Sequence, residues 1–336
     1  MTVTATPTTA EILQRAALRA LLAPSVHNTQ PWTFVLGGDS LEIRADRRRQ
    51  LGVLDPRGRQ LVISLGCALL HARVAIAAAG REPVVRRLPD HVRRDLVARI
   101  GVGGPFVWPG STGLDLAIDH RRTNRRAYGG GPVPAALIDE LALITRTEGA
   151  VLVPLLSERE RAIVTELSRR ADRLERRDRA YLAEVARWTT DDPRRPDGVQ
   201  AASVPYAAPV GFPASDASPI RGFDVRGMGW LPPANGSDNA QCLLLFCAAQ
   251  DDERGWLHTG EALEHAWLRL TELGYWASPL TQVIEVRQTN DELQATLGLD
   301  AYPQLLLRVG RAPETVPTRR RSARDVIVYA DARPDS

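Results

Sequence analysis

Apolar residues recur at three- and four-residue spacing along residues 61–80 and again along residues 260–274, and each run ends in a glycine. Both read as helices with one core face and a glycine stop. The two runs are related. GCALLHARVAIAAAG, beginning at Gly66, and GEALEHAWLRLTELG, beginning at Gly260, share six residues at identical offsets without a gap. Ordinary residue usage gives about one such match by chance, so the chain is read as an internal duplication. A β-rich run precedes each copy, residues 41–44 in the first and 242–247 in the second. The second is continuously apolar, the pattern of a strand covered on both faces.

The pattern elsewhere supplies further elements. Residues 9–22 form an amphipathic helix, and Pro24 and Pro31 bracket a polar loop after it. Residues 33–36 read as a strand, turning at 37–39 into the strand at 41–44. A helix is expected at 92–100, a Gly/Pro-rich connection at 101–113 and a short strand at 114–118. An arginine cluster and a glycine-rich loop lead to a helix from about Pro134, and 157–188 reads as one long charged helical stretch. Residues 191–239 are dense in Pro, Gly, Ser and Asp but carry Tyr206, Phe212, Phe223 and Trp230. A connection that long inside a compact protein is usually functional, and its aromatics make it an ordered cover, or lid. The chain closes with a strand at 304–309 and the tail PTRRRSARDVIVY.

Composition narrows the picture. The 336 residues are 44% hydrophobic and 25% charged, enough for two cores of roughly 150 residues each. All basic side chains are arginine, interleaved with acids to a formal charge of +3. That is a solvated surface, not a nucleic-acid footprint. At 121–126 and 319–321 the arginines are dense enough for a local anion site, since the guanidinium fork suits phosphate or carboxylate. Cys67, Cys242 and Cys247 lack metal-ligand spacing and are read as buried small hydrophobes in a reducing compartment. The N-terminus has neither a basic nor an apolar leader region, and His71 and Arg73 interrupt the run at 61–80. The expectation is a cytoplasmic protein with no membrane span. His71 and His265 make no metal motif and are read as packed or surface helix residues. Trp32 is read as a core anchor. No metal site and no Ser-His-Asp arrangement competes for the chemistry.

The loop at 23–32, APSVHNTQPW, resembles the Pro-Ser-x-x-Asn-x-Gln-Pro-Trp segment of the nitroreductase-like FMN-binding superfamily. RRTNR at 121–125 resembles its Arg-Arg-Ser-x-Arg motif, with Thr123 keeping the hydroxyl of the usual serine. Residues 260–282 resemble its central helix and flavin-edge loop, and Arg320 and Arg321 its C-terminal arginine pair. Ser322 stands where many members have proline. In an ordinary member the Arg motif precedes the loop. Here the first half has the loop alone, and the second has the Arg motif followed by TRTEGAVLVPLL. This resembles the double-length Acg-like branch, in which one chain mimics the family's dimer.

The resemblance implies an α+β nitroreductase fold: two tandem degenerate copies, 1–119 and 120–336, forming an intramolecular pseudo-dimer of mixed, mostly antiparallel sheets flanked by helices. It implies one FMN between the halves and a lid at 191–239. The phosphate would fall to Arg121, Arg122, Arg125, Arg320 and Arg321, with Thr123 beside them. The ring edge would face Ser25, Asn28 and Gln30, its apolar wall Pro24 and Pro31, and its N5 edge Ser278, Pro279, Leu280 and Thr281. His27 falls near the cofactor. The implied reaction is ping-pong electron transfer from NADPH or NADH through FMN to a nitroaromatic, quinone or similar acceptor, with no essential protein nucleophile. Two rivals stand beside it: an FMN-binding or storage protein with an occluded flavin, and a specialised oxidase or dehydrogenase on the same fold. The expected state is a monomeric pseudo-dimer or weak homodimer.

Overall fold

A computed structural model describes residues 7–126, 128–129, 131–204, 221–223 and 242–330. Helix α1 (Thr9–Ala20) opens on a reciprocal cap between Thr8 and Glu11 and turns Ile12, Leu13, Ala16, Ala17 and Ala20 inward. Strands β1 (Trp32–Leu36) and β2 (Ser40–Ala45) pair as a hairpin with alternate residues buried. The first repeat helix is α2 (Arg59–Ala78), followed by β3 (Arg81–Arg87), β4 (Leu96–Pro105), α3 (Ser111–His120), α4 (Ala135–Thr147) and β5 (Val151–Leu155). Then come α5 (Glu158–Glu175), α6 (Arg179–Arg187) and the two-residue strands β6 (Thr189–Thr190) and β7 (Val199–Gln200). β8 (Cys242–Ala248), the second repeat helix α7 (Glu253–Glu272), β9 (Trp276–Pro279), α8 (Gln282–Glu285) and α9 (Arg287–Leu297) follow. β10 (Tyr302–Gly310), α10 (Ala323–Val326) and β11 (Ile327–Tyr329) end the described chain.

One sheet runs β11-β1-β2-β4-β3, antiparallel except where β11 lies parallel to β1. The other, β5-β8-β10-β9, is antiparallel throughout. The fold is thus the α+β arrangement of mostly antiparallel sheets with helices that the sequence implied. β11, last in sequence, sits in the sheet built by the first half. One apolar core joins α1, α2, α4, α7 and the inner faces of both sheets. A second cluster packs the other face of β8 and β10 against α5, α8 and α9, so β8 is buried along its whole length. The buried cysteines and Trp32 fit the same picture.

Helix α2 is long and apolar enough to cross a membrane by length and composition, but nearly all of it is interior here. It packs along α7, and the repeat explains how. A Cβ on Gly66 would lie 2.8 Å from the Cα of Gly260 and 2.3 Å from the Leu257 carbonyl. A Cβ on Gly260 would lie 2.9 Å from the Cα of Gly66 and 2.1 Å from the Ile63 carbonyl. Ile63 and Leu257 hold the same repeat position, so the two helices cross about a local pseudo-two-fold between the glycines.

Three local expectations are corrected. Of the helix expected at 92–100, residues 96–100 belong to β4, which also takes in 101–105 of the expected connection and ladders to both β2 and β3. Its short apolar run fits either period, and the β-branched residues and two available partners decide for strand. The strand expected at 114–118 lies in α3, where Leu114, Ala117 and Ile118 face inward at helical spacing. The single stretch at 157–188 is two helices, because Asp178 caps a new start through the Ala180 and Tyr181 amides. Of the expected cover, residues 191–204 and 221–223 are described; Tyr206, Phe212 and Trp230 lie outside the described residues.

Candidate active site

The loop between α1 and β1 is conformationally unusual. His27, Asn28 and Gln30 all have positive φ, 46°, 54° and 49°. Each such non-glycine residue costs of order 1 kcal/mol or more and persists only where its surroundings enforce it. Here they do. Ser25 Oγ accepts from the Gln30 amide at 2.9 Å, and the Val26 amide donates to Ser64 Oγ on α2. Asn28 Nδ2 donates to the Gly198 and Arg319 carbonyls. Gln30 Nε2 donates to the Pro196 carbonyl, and its Oε1 accepts from the Arg321 amide at 2.7 Å. The loop is therefore clamped to α2, to the 191–204 segment and to the C-terminal arginines.

Beside it lies a cavity of about 780 Å³ of empty space, its open mouth included. Pro24, Ser25 and His27 form one wall, and Gln60, Ser64 and Cys67 of α2 another. Leu263 and Trp267 of α7, Thr123, Arg125, Pro279, Leu280 and Thr281 complete the floor and rim. Arg221 and Phe223, from the stretch read as a cover, also line it. A second cavity, of about 560 Å³ of empty space with its open mouth included, is lined by Leu22, Asp119, Arg121, Arg122, Pro317 and Arg320. Thr123 lines both, so the two adjoin there.

The first cavity is mainly apolar with a few polar groups. His27 is buried, its ring edge-on to Phe223 at 5.6 Å, and neither ring nitrogen has a hydrogen-bond partner among the described residues. Burial, reinforced by Arg221 and Arg125, holds it well below the usual histidine range, so the imidazole is neutral. Among the described residues Arg125 donates to Ser203 alone, at 3.4 and 3.5 Å, and it lies over Phe223. Burial, with Arg221 and Arg308 nearby, lowers it to about 10.

The second cavity is cationic. Arg121 is 3% exposed, pairs with the buried Glu264 at 3.0 Å and lies over Trp267. Among the described residues, neither its Nε nor its Nη1 makes a hydrogen bond, and neither does Nε of Arg320. Burial and the neighbours Arg121 and Arg122 lower Arg320 to about 9, and burial and Arg121 lower Arg122. Asp119, at the rim, is paired with Arg19. Three guanidinium groups thus converge against one contacting carboxylate, an arrangement that a dianion relieves.

The residues singled out in sequence fall into three groups. Pro24, Ser25, His27, Thr123, Arg125, Pro279, Leu280 and Thr281 line the first cavity, and Arg121, Arg122 and Arg320 the second. Asn28 and Gln30 are buried behind the wall, holding the loop. Pro31, Ser278 and Arg321 line neither cavity. Ser278 sits in β9 opposite Arg308, and Arg321 donates to the Gln30 and Asp325 carbonyls. Sequence reasoning passed over Gln60 and Ser64 and read Cys67 only as a buried small hydrophobe. Their spacing of four and three along α2 is the signal that marks them.

The pseudo-symmetric position is filled differently. In the register set by Gly66 and Gly260, Cys67, Trp267 and Thr281 correspond to Glu261, Arg73 and Arg87. Glu261 accepts twice from Arg87, at 2.7 and 2.8 Å, and once from Arg73. Arg73 also binds Glu148, which accepts from His265 Nδ1. An ion-pair cluster stands where the cavity wall would be. Among the described residues, no His, Cys, Asp and Glu group can hold a metal.

An α+β chain whose duplicated helices cross at a glycine pair, with two adjoining cavities beside them, has the architecture of a fused dimer. Comparison with known proteins places it. No family model matches the chain. Over 96% of its length it is 34% identical to a Mycobacterium tuberculosis protein named "Putative NAD(P)H nitroreductase Rv3131", covering 92% of that protein. It is 31% identical to "Putative NAD(P)H nitroreductase acg" of the same organism, covering 92% of each chain. Among solved structures, a nitroreductase with bound FMN from Desulfitobacterium hafniense aligns over 65% of this chain and 98% of its own, with a TM-score of 0.42 and 11% identity. The chain belongs to the nitroreductase-like family, in its double-length Acg-like branch, and is an oxidoreductase of that type.

Proposed function

We propose that this protein binds one FMN between halves 1–119 and 120–336 and passes electrons from a nicotinamide donor to a small acceptor in ping-pong fashion. The observation that carries the reading is the junction at Thr123 of an apolar slot with a cluster of incompletely paired arginines. A planar ring and a phosphate monoester match those two environments. Arg121, Arg122 and Arg320 would hold the phosphate. Ser25, Gln60, Ser64, Thr123 and the 279–281 turn would face the ring, with Pro24, Leu263 and Trp267 as its apolar walls. FMN, when bound, supplies the hydride and single-electron chemistry. The chain's residues bind and orient it and limit water around it. The ion-pair cluster in the pseudo-symmetric position supports one flavin per chain rather than two.

The nicotinamide donor is supported by the names of the two relatives, and nitroaromatics or quinones are the acceptors to assay first. A low-turnover FMN-binding role is the second reading, favoured by one observation: Arg221 and Phe223 of the cover line the cavity, and Arg221 is locked to Glu285 and Tyr181. Deleting residues 203–230 separates the two. Retained flavin with sharply faster NADPH oxidation points to an occluding cover, whereas unchanged oxidation in an already active protein supports the oxidoreductase. Flavin content per chain, and its loss in Arg122→Ala, test the common core of both.

A further inference from the structure

Arg121 is held from behind by a pair of side chains, one from each repeat helix. Glu264 of α7 and His71 of α2 are both 0% exposed. Glu264 Oε1 forms an ion pair with Arg121 Nε at 3.0 Å and meets His71 Nε2 at hydrogen-bond distance, 2.7 Å. His71 Nδ1 in turn faces the Arg19 carbonyl at 3.0 Å. Both ring nitrogens therefore meet oxygens, a carbonyl and a carboxylate, and the ring is tethered at both ends. Trp267 covers the guanidinium face at 4.8 Å. Nε and one face of Arg121 are thus held by charge and by the ring, Nη2 approaches the Leu22 carbonyl at 3.5 Å, and the residue lines the cationic cavity with no hydrogen bond to its Nη1 among the described residues.

We propose that His71 and Glu264 are positioning residues for the phosphate grip: they fix Arg121 so that its free edge addresses the phosphate, and so make the site selective for FMN over riboflavin. This rests on the FMN reading above and assigns a task to two residues that touch neither cavity. The repeat sharpens it. Glu264 corresponds to Leu70 in the first copy, and His265, the counterpart of His71, pairs with Glu148 in the ion-pair cluster. The His71–Glu264–Arg121 arrangement is confined to the side that keeps its cavity.

The test is a double-mutant cycle on the deflavinated full-length protein, reading dissociation constants for FMN and riboflavin by flavin fluorescence, with a thermal melt of each variant. Wild type is expected to prefer FMN strongly. Arg121→Ala is expected to weaken FMN by about a hundredfold and His71→Leu by about tenfold, the range for charge-assisted hydrogen bonds, with riboflavin unchanged. In the Arg121→Ala background, His71→Leu should have no further effect on FMN. Equal losses for both flavins, or a His71→Leu effect that persists without Arg121, would overturn the positioning role while leaving the phosphate site intact. A wild type that binds riboflavin as tightly as FMN would overturn the phosphate reading itself and this inference with it. Glu264→Gln, which keeps side-chain volume, gives an independent sign. Loss of a mere counter-charge would tighten FMN, whereas loss of positioning weakens it.

Discussion

Gly66 and Gly260 meet backbone to backbone, each occupying the space that the other's missing Cβ would need. The contact lets α2 and α7 approach closely enough for Cys67 Sγ to reach the Gly260 carbonyl at 3.3 Å, and it sets the relation between the two halves. Neither neighbour is a flexible side-chain end; both are main chain. Gly66→Ala or Gly260→Ala is therefore expected to destabilise by about 3 kcal/mol, at or above the usual overpacking cost. A chain of this size should then melt several degrees lower. Melting temperatures unchanged by either substitution would contradict the close crossing.

Asn28 Oδ1 accepts from Arg320 Nη1 at 3.1 Å, linking the left-handed loop to the cationic cavity. Asn28→Ala is expected to weaken FMN binding by about tenfold, the lower value for a hydrogen bond to a charged group. Alanine also fits a φ of 54° poorly. Asn28→Gly removes that strain but not the lost bond. It should fold as well as wild type and still bind FMN weakly. Normal FMN affinity in Asn28→Gly would show that the side chain matters only for the loop's shape.

Inorganic phosphate should compete with FMN at the arginine cluster and leave riboflavin binding unaffected, because only the former uses Arg121, Arg122 and Arg320. Titrating each flavin at constant ionic strength, with phosphate replacing chloride, checks this. Equal effects on the two flavins would mean general screening rather than a site.

Arg221, in the stretch proposed as a cover, belongs to a buried network with a pH signature. Glu175 accepts from Tyr181 and Gln282, beside Glu285 and Arg221. Burial pushes Glu175 up to about 7, and Glu285 adds to this. Between the ordinary glutamate range and about 7 the folded protein holds a proton that the unfolded chain releases. This contribution is full below that range and is lost as pH rises through about 7. Wild type should therefore lose stability between about pH 5 and about pH 8 relative to Glu175→Gln. Parallel melting curves across that interval would refute the assignment.

Glu261 is fully buried and neutralises Arg73 and Arg87 together. Removing one member of a buried ionic group leaves the others uncompensated, so Glu261→Ala should destabilise by about 3 kcal/mol. It should not create a second flavin site, since both arginines remain. A second equivalent of bound FMN in this variant would show that Glu261 alone blocks the position.

Much of this was legible in the sequence. The repeat gave α2, α7 and their mutual relation, because six identities at fixed offsets survive on buried surfaces. Pro24 to Gln30 and Arg121 to Arg125 drew attention through residue types rare in plain loops, and most of them line one of the two cavities. Asn28 and Gln30 were legible as important but not in their task, since hydrogen bonds to Gly198, Pro196 and Arg321 join segments far apart in the chain. β4 and α3 were misread because a handful of apolar residues fits both periods and only tertiary partners decide. Glu264 and His71 looked like ordinary helix residues; their meaning appears only when α2 and α7 are laid together against Arg121.

The most direct measurement is flavin stoichiometry. The full-length protein, reconstituted with excess FMN and freed of unbound cofactor, should release close to one FMN per chain and no more. That value should collapse in Arg122→Ala, whose substitution leaves the ring cavity untouched. Two FMN per chain would contradict the single developed site, and none would contradict the account of the arginine cluster and the adjoining slot as a flavin site.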